Sequence, residues 1–371
     1  MANNEISKHL ALSQWIKDNI DNGTFAIGDK IPSENDLAQQ FGYSRQTVRQ
    51  AIGTLVAEGI LIRKQGSGTY VSSLAERKPT EKTMRIGVIT TYLDDYIFPG
   101  IIHGMERVFM KEGYTLSLGI TYNKPSNEEK CLQQMLQSGV DGFIIEATKS
   151  ALPNPNEYLY KEIKERQIPT VFINGYYSHS NYSYVVMDDV KAGSKLAKIL
   201  INKGHDKIGG FFKSDDIQGH KRYEGVLKTT KKNGITLNED AIFWYTTEDF
   251  KYLFGGNSDD IILNRLQGIT AVVCYNDQVA EAFIKLLNRK SLSVPKDISV
   301  VSFDNSFLAK HVVYNLTSVV YPAKAIGEKA ATLLLKNIKN PYKIQKIKLE
   351  PVVKIRDSVK DINIHDKQIS N

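Results

Sequence analysis

Cysteine and long apolar runs are both scarce in this sequence. Cys131 and Cys274 are the only cysteines among 371 residues, and each lies within an apolar pattern. Cysteines of this kind are typical of small core residues, so we expect neither a disulfide nor a metal site. No stretch of about 18 apolar residues is present, and residues 1–10 lack the charged-then-apolar order of a secretory signal. We therefore expect a soluble, cytoplasmic protein that does not enter a membrane.

The sequence also lacks a strong charge of either sign. Its formal net charge is +7, and the first 80 residues carry nine basic and eight acidic side chains. Charge alone is therefore weak evidence for a nucleic-acid partner. Its distribution says more, because no acidic residue lies between Asp36 and Glu58, where Arg45 and Arg49 stand. This arrangement favours a positive field on one side of the first module.

Motifs of the common enzyme classes are missing as well. The strand-like run "RIGVITTY" is not followed by a GxGxxG turn, and no P-loop, HExxH helix or nucleophile elbow is present. The seven histidines have no metal-ligand spacing. We expect no catalytic residue, no metal and no cofactor.

The first 72 residues carry three helical patterns followed by a hairpin pattern. Ser33 and Ser44 stand as N-caps before the second and third helices, which are joined by "GYS" as in a helix-turn-helix. The run Gly-Ser-Gly at 66–68 separates two short strand-like runs, and its glycines permit the backbone of a tight hairpin. We predict a winged helix-turn-helix domain over residues 1–72.

The polar side of the third helix has the composition of a DNA-reading surface. Its apolar residues must face the core, which leaves arginine, glutamine and threonine side chains at the N-terminal end or exposed. Arg and Gln can pair with guanine and adenine edges, and hydroxyl groups at a helix N-terminus can bind phosphate. A solvated polar face is the alternative interpretation. The hairpin, or wing, favours DNA, because its turn at 66–68 has small residues and Arg63 and Lys64 lie beside it.

Residues 31–71, which begin "IPSENDLAQQFGYSRQTVRQ", resemble the winged-helix domain of the GntR family of bacterial regulators. The resemblance implies that Ser44, Arg45, Thr47, Arg49 and Gly66 contact DNA and that Ser33 begins the second helix. With the residues of the helix and the wing, the predicted DNA contacts are Ser33, Ser44, Arg45, Gln46, Thr47, Arg49, Lys64, Gly66 and Ser67.

The rest of the chain changes pattern. Residues 73–83 are charged, contain Pro79 and have no apolar periodicity, which is typical of a linker. Over residues 84–358 short β-rich runs alternate with helical stretches, and this predicts two parallel sheets covered by helices on both faces. Residues 359–371 are polar and are predicted to form a frayed tail.

Polar side chains follow several of the predicted strands. Asn174, Asn276 and Asp304 each come directly after an apolar run, and open α/β sheets bind ligands outside the carboxyl ends of their strands. Arg222 adds a planar fork of donors that can bridge two hydroxyls. Capping of the following helix is the alternative role for the Asn and Asp residues. A pocket built from these groups suits a polyhydroxylated ligand.

Residues 84–358, with "HKRYEGV", "CYNDQVA" and "VPKDISVVSFDN", resemble the effector domain of the LacI/GalR family, itself similar to periplasmic sugar-binding proteins. The resemblance implies a type I periplasmic-binding-protein-like domain of two parallel-sheet α/β lobes. It also implies that Arg222, Asn276, Asp304 and Asn174 contact the ligand, and that Tyr96 and Phe98 lie where aromatic groups cover a sugar or base.

A GntR-type N-terminal domain joined to a LacI-type effector domain resembles the L-arabinose-responsive repressors of Gram-positive bacteria. The stretches that carry this resemblance are "TTYLDDYIFPGIIHG" and "IIEATKSALPNP". This adds Glu146 and Lys149 as predicted sugar contacts, with an exposed ion pair as their alternative role. The implied function is a nucleoid-associated homodimeric repressor that binds double-stranded operator DNA and is released by a sugar inducer, L-arabinose.

Two other functions are compatible with residues 84–358 taken alone. A sugar-binding receptor or transport component is disfavoured by the N-terminal module and by the absence of a secretory signal. An enzyme acting on a sugar or nucleotide would need a set of acid/base or metal-binding residues, and the sequence shows no recognisable pattern of this kind.

Overall fold

The contacts of the chain divide it into two units, Met1–Lys82 and Thr83–Asn371. The computed structural model describes residues 8–21, 23–57, 60–72, 82–93, 96–311, 315–339 and 344–363. Within these ranges no helix is long and apolar enough to cross a membrane.

The first unit, called the head, contains three helices and a hairpin. In chain order they are α1 (Lys8–Asp21), α2 (Glu34–Phe41), α3 (Arg45–Ala57), β1 (Leu61–Lys64) and β2 (Gly68–Val71). The two strands pair antiparallel, with Leu61 opposite Val71. Apolar side chains from every element share one core, which includes Leu12, Leu37, Val48, Ile52 and Leu55. The predicted winged helix-turn-helix is confirmed.

Local side-chain and backbone chemistry determines where α2 begins and where it ends. Ser33 and Asp36 form a capping box, in which each side chain accepts a hydrogen bond from the backbone of the other. Gly42 ends α2 in the left-handed region at φ 64°, where an L side chain would be strained. The chain therefore leaves α2 in a fixed direction, and α3 begins three residues later.

The second unit, called the body, alternates strands and helices. In chain order its elements are β3 (Arg85–Thr90), α4 (Phe98–Lys111), β4 (Thr115–Ile120), α5 (Pro125–Ser138), β5 (Gly142–Ile145), α6 (Glu157–Glu165), β6 (Thr170–Ile173), β7 (Ser183–Met187), α7 (Asp189–Asn202), β8 (Ile208–Lys213), α8 (Ile217–Lys232), a 3-10 turn (Glu239–Ala241), β9 (Ile242–Tyr245), α9 (Phe250–Leu253), α10 (Asp259–Arg265), β10 (Ala271–Cys274), α11 (Asp277–Arg289), β11 (Ser299–Asp304), α12 (Phe307–His311), β12 (Thr317–Val320), α13 (Ala323–Lys339), β13 (Lys346–Leu349) and β14 (Val352–Lys354).

These strands form two six-stranded sheets, one in each lobe of the body. The order is β13-β7-β6-β5-β3-β4 in the first lobe and β14-β12-β11-β10-β8-β9 in the second. All neighbouring strands are parallel except β12 and β14. Strands β5, β6, β10 and β11 are buried along their whole length, because helices cover both faces of each sheet. The predicted two-lobed α/β architecture is confirmed.

The chain passes between the lobes three times. It crosses at Asp188 between β7 and α7, at Tyr321 and Pro322 between β12 and α13, and at Glu350 and Pro351 between β13 and β14. Each lobe is therefore assembled from separate parts of the chain. The carboxyl ends of β3, β5 and β6 in one lobe and of β8, β10 and β11 in the other border the same cavity, described below.

The ends of the body differ from the predicted boundaries. Thr83, assigned to the linker, donates from its backbone N–H to Asp141 of the first lobe at 3.0 Å. Within the predicted polar tail, the Ile362 N–H donates to Lys203 O at 2.9 Å, and Lys360 O lies 3.0 Å from His205 Nε2. Backbone hydrogen bonds thus attach residues 359–363 to the body. Residues 73–81 and 364–371 lie outside the described residues.

Candidate functional site

The N-terminal end of α3 presents the predicted DNA-reading side chains. Arg45, Gln46 and Arg49 are exposed, while Val48 beside them is buried in the head core. Ser44 caps the helix, because its Oγ accepts from the Thr47 N–H at 3.2 Å and lies 2.8 Å from Thr47 Oγ1. The two hydroxyls are therefore held together at the helix N-terminus, where backbone N–H groups favour a phosphate.

Arg49 is oriented by an acidic residue that the sequence did not single out. Glu34 lies between two arginines, with Oε2 at 3.1 Å from Arg49 Nε and Oε1 at 3.1 Å from Arg63 Nη2. The Arg49 side chain is 67 % exposed. Glu34 can hold the guanidinium of Arg49 in place without removing it from solvent, and it links α2, α3 and the wing.

Tyr70 contacts two of the predicted DNA-binding residues of the wing. Gly66 and Gly68 have φ angles of 73° and 131°, which only glycine adopts without strain. Lys64 Nζ lies 4.8 Å from the centre of the Tyr70 ring, and Ser67 Oγ is 2.6 Å from the Tyr70 hydroxyl. Tyr70 thus positions two predicted contacts and was missed, because its side chain reads as an ordinary strand residue.

Ser33 is committed to the helix that it begins. Its Oγ donates to Asp36 Oδ2 at 2.6 Å and accepts from the Asp36 N–H at 3.2 Å. The bonds that the Asp36 carboxylate accepts from the Ser33 hydroxyl and from the Ser33 N–H lower the pKa of Asp36. The observed role of Ser33 is capping, and its contact with DNA stays a prediction.

A cavity of about 290 Å³ lies between the two lobes of the body. Six of the eight predicted sugar contacts line it: Phe98, Glu146, Asn174, Arg222, Asn276 and Asp304. Tyr96 is adjacent, since its hydroxyl donates to Asp304 Oδ2 at 2.8 Å. Lys149 is not part of the wall.

Other lining residues were missed, although the same strand-end rule reaches several of them. They include Thr91, Lys213, Tyr275 and Tyr321, which lie at or directly after the ends of β3, β8, β10 and β12, and Asp216 and Gln218 around the start of α8. Threonine, lysine and tyrosine are common on any surface, so their type alone carries no signal. Only their position after a strand would have selected them.

Arg222 is held by several groups in the cavity wall. Nε donates to Asp189 Oδ1 at 2.9 Å, Nη1 to the Tyr275 carbonyl at 2.5 Å and Nη2 to Asp304 Oδ1 at 3.5 Å. The guanidinium also contacts the rings of Tyr275 and Phe303, at 4.7 and 4.5 Å from their centres. Burial by itself would lower the pKa of Arg222, but the two carboxylates hold it above its usual value. The cation is therefore fixed in one orientation.

A hydrogen-bonded relay fixes the first-lobe side of the cavity. Glu146 Oε2 accepts from the Thr91 N–H and from the Thr90 and Thr91 hydroxyls, each at 2.8 Å. Asn174 Nδ2 donates to Glu146 Oε1 at 2.8 Å, and the Tyr321 hydroxyl donates to Asn174 Oδ1. These bonds hold the side chains of Glu146 and Asn174 in fixed orientations. The first-lobe wall of the cavity is therefore preorganised for a ligand.

Asn276 takes the capping role that the sequence left open and still lines the cavity. Its Oδ1 accepts from the Val279 N–H at 2.9 Å and caps α11, so its Nδ2 is the group that can donate to a ligand. Asp277, the next residue, is fully buried and accepts from Ser302 and Ser318 and from the Ser306 N–H. Asp277 therefore has a structural role.

Lys149 pairs with acidic residues of the second lobe and does not line the cavity. Its Nζ lies 3.2 Å from Asp215 Oδ2 and 2.8 Å from Glu248 Oε2, both in the second lobe. The side chain is only 17 % exposed, so this is a partly buried ion pair that joins the lobes. Both carboxylates pair with this cation, and the ion pair is less exposed than the alternative role that the sequence suggested for Lys149.

The cavity as a whole offers fixed donors and acceptors rather than a reactive group. Carboxylates, amides, hydroxyls and the Arg222 cation converge on it from both lobes. Within the described part of the chain, no group of three or more His, Cys, Asp or Glu side chains could hold a metal ion. Such a cavity can bind a neutral polyhydroxylated molecule, because each hydroxyl can both donate and accept.

Comparisons with known proteins agree with this architecture. The model of bacterial regulatory proteins of the gntR family matches residues 9–71, and that of the periplasmic binding protein-like domain matches residues 197–359. In solved structures, transcription regulator CcpA of Lactococcus lactis matches with a TM-score of 0.65 at 25 % identity, covering 74 % of this chain and 99 % of that chain.

Relatives of full length share both units. The arabinose metabolism transcriptional repressor of Halalkalibacterium halodurans is 38 % identical over 361 residues, which cover 95 % of this chain and 96 % of the relative. The repressor of the same name from Geobacillus stearothermophilus is 38 % identical over 98 % of this chain and all of its own length. With a gntR-type head and a periplasmic-binding-protein-like body, this chain belongs to the family of arabinose metabolism transcriptional repressors.

Proposed function

We propose that this protein binds double-stranded operator DNA as a homodimer and releases it when L-arabinose occupies the cavity between the lobes. The DNA is read by α3 and the wing, and the sugar is held by the relay of Glu146 and Asn174 on one side and by Arg222, Asn276 and Asp304 on the other. Sugar and operator then act on one equilibrium, so each must weaken the binding of the other. The protein acts at the nucleoid, and no catalytic step is part of the proposal.

The observation that carries the proposal is the polar wall of the cavity. It draws hydrogen-bonding side chains from both lobes, so a ligand that fills it bonds to both and stabilises their contact. The cavity of about 290 Å³ suits a monosaccharide, and the names of the relatives point to arabinose metabolism.

Two features support a dimer. Helix-turn-helix proteins read two half-sites about one helical turn apart, which requires a two-fold partner. The edge strands β4 and β9 of the two sheets also expose large apolar side chains, with Leu118 46 % and Trp244 41 % exposed. Apolar groups on sheet edges are suited to burial against a second copy.

A DNA-release titration tests the proposal. Genomic fragments retained by the purified protein are sequenced to define an operator, and its occupancy is followed while L-arabinose, D-arabinose or D-xylose is added. We expect release by L-arabinose at concentrations where the other pentoses leave the complex intact. Retention of no specific fragment, or equal responses to all three sugars, would contradict it.

A further inference from the structure

A cluster of polar side chains joins the lobes outside the wall of the sugar cavity. We call it the latch and define it by Asn123, Lys149 and Ser150 of the first lobe and Asp215, Thr247 and Glu248 of the second. These residues follow strands β4, β5, β8 and β9. None of the six belongs to the residues that line the cavity.

The charged part of the latch is centred on Lys149. Its Nζ lies 3.2 Å from Asp215 Oδ2 and 2.8 and 2.9 Å from the two oxygens of Glu248. Asp215 is fully buried, whereas Glu248 is 56 % exposed. Burial opposes ionisation of Asp215, yet Lys213 and Lys149, with two hydrogen bonds from Thr247, hold its pKa below the usual value. Lys149 therefore adds a cation from the other lobe to that of Lys213, whose Nζ lies 4.0 Å from Asp215 Oδ1 within the same lobe.

The neutral part of the latch joins the two lobes at the same edge. Asn123 Nδ2 donates to Asp215 Oδ2 at 3.3 Å and to Thr247 Oγ1 at 2.5 Å, and Asn123 Oδ1 accepts from the Lys149 N–H at 2.8 Å. Ser150 Oγ accepts from the Ile217 N–H at 3.0 Å. Each of these bonds except that of the Lys149 N–H spans the lobes, so any separation of the lobes at this edge breaks them together.

We propose that Lys149 is a positioning residue for the inducer: the latch holds the lobes together and raises sugar affinity without touching the sugar. The inference rests on the proposed function, in which sugar binds between the lobes. Weakening the latch makes lobe closure less favourable, and a ligand that requires closure then binds with lower apparent affinity.

Two variants test the latch in the full-length protein. Glu248→Lys places a second cation next to Lys149 at an exposed position, and Lys149→Met removes the charge while keeping the stem. We expect the Kd of L-arabinose, measured by calorimetry, to rise about three- to tenfold in both, as for the loss of one partly buried ion pair. Lys149→Arg should stay near the unmodified value. Lys228→Met is the control, because Lys228 pairs with Glu224 at 2.6 Å within α8 of one lobe.

Ionic strength separates the latch from a direct sugar contact. L-arabinose carries no charge, so salt acts on its Kd only through protein charges whose pairing changes when the lobes close. In the unmodified protein the Kd should rise with added salt, and in Glu248→Lys this increase should vanish or reverse. An unchanged Kd with an unchanged salt response in both variants would overturn the proposal.

Hydrogen exchange of the sugar-free protein tests the latch independently of any ligand. The Ile217 N–H, which donates across the lobes to Ser150, should exchange about three- to tenfold faster in Lys149→Met, as expected if one ion pair controls a local opening. Exchange within β3 and β10 should not change.

If the unmodified protein binds no L-arabinose, the proposed function fails, and exchange at Ile217 still decides whether the latch exists. Unchanged exchange there would refute the latch even if sugar binds.

Discussion

Arg222 and Asp189 form an ion pair inside the second lobe, with Nε 2.9 Å from Oδ1 and side chains that are 2 and 6 % exposed. Asp189 begins α7 and Arg222 lies in α8, two helices that touch closely: a Cβ on Gly193 would lie 2.1 Å from the Arg222 carbonyl oxygen. The same guanidinium faces the cavity. Arg222 therefore holds the lobe together as well as offering donors to a ligand.

Removal of Arg222 should destabilise the body rather than affect sugar binding alone. In Arg222→Ala the buried carboxylates of Asp189 and Asp304 lose their cation, and we expect the free energy of unfolding to fall by about 3 to 5 kcal/mol. Urea unfolding followed by the fluorescence of Trp244, in a Trp15→Phe background that silences the head, measures it. A variant as stable as its parent would show that the pair contributes no net stability.

The same pair predicts a dependence of stability on pH. Burial raises the pKa of Asp189 from 3.8 to about 6, against the opposing effect of Arg222. Between these values the folded protein binds more protons than the unfolded chain, so the free energy of unfolding falls as pH rises from about 4 to 6, by at most about 1.4 kcal/mol per pH unit. Above that window this contribution is constant. Asp189→Asn should lack this part of the slope, and identical slopes in both proteins would contradict the shift.

Asp304 provides a cleaner test of sugar binding than Arg222. It accepts from Tyr96 and Arg222 and lines the cavity, so Asp304→Asn keeps the shape but removes a charged acceptor. We expect affinity for L-arabinose to weaken by about 1 to 3 kcal/mol, with operator affinity in the absence of sugar unchanged. Calorimetry and operator titration measure the two. Asp297→Asn, at an exposed turn of the same lobe, is the control, and equal sugar affinity in both would remove Asp304 from the site.

The sequence predicted the architecture because periodicity and turn chemistry are local. The spacing of Val48, Ile52 and Leu55, with a serine cap before each helix, places α3 without knowledge of its neighbours. The cavity was partly predictable too, since Asn174, Asn276 and Asp304 lie at or just after the carboxyl ends of strands that border it. Lys149, which the resemblance added as a sugar contact, lies outside the cavity wall, and its charge is paired with Asp215 and Glu248, 66 and 99 residues away in the chain. Pairings of that range depend on how the lobes face each other, which no local pattern records.

The two arginines of α3 should contribute differently to operator binding. Arg45 is exposed at the first position of the helix, whereas Arg49 lies four residues on and is held by Glu34 at 3.1 Å. If Arg45 reads a base, Arg45→Ala weakens operator binding by about 1 to 3 kcal/mol and relaxes specificity at one base pair. Arg49, held toward α2 by Glu34, suits a phosphate, so Arg49→Ala should weaken binding to all sequences alike and reduce the salt slope by about 1. Fluorescence anisotropy with the operator and its single-base variants, across a salt series, distinguishes the two. Lys228→Ala in the body is the control, and operator affinity and salt slopes unchanged in both variants, with the head folded, would show that α3 does not face the DNA.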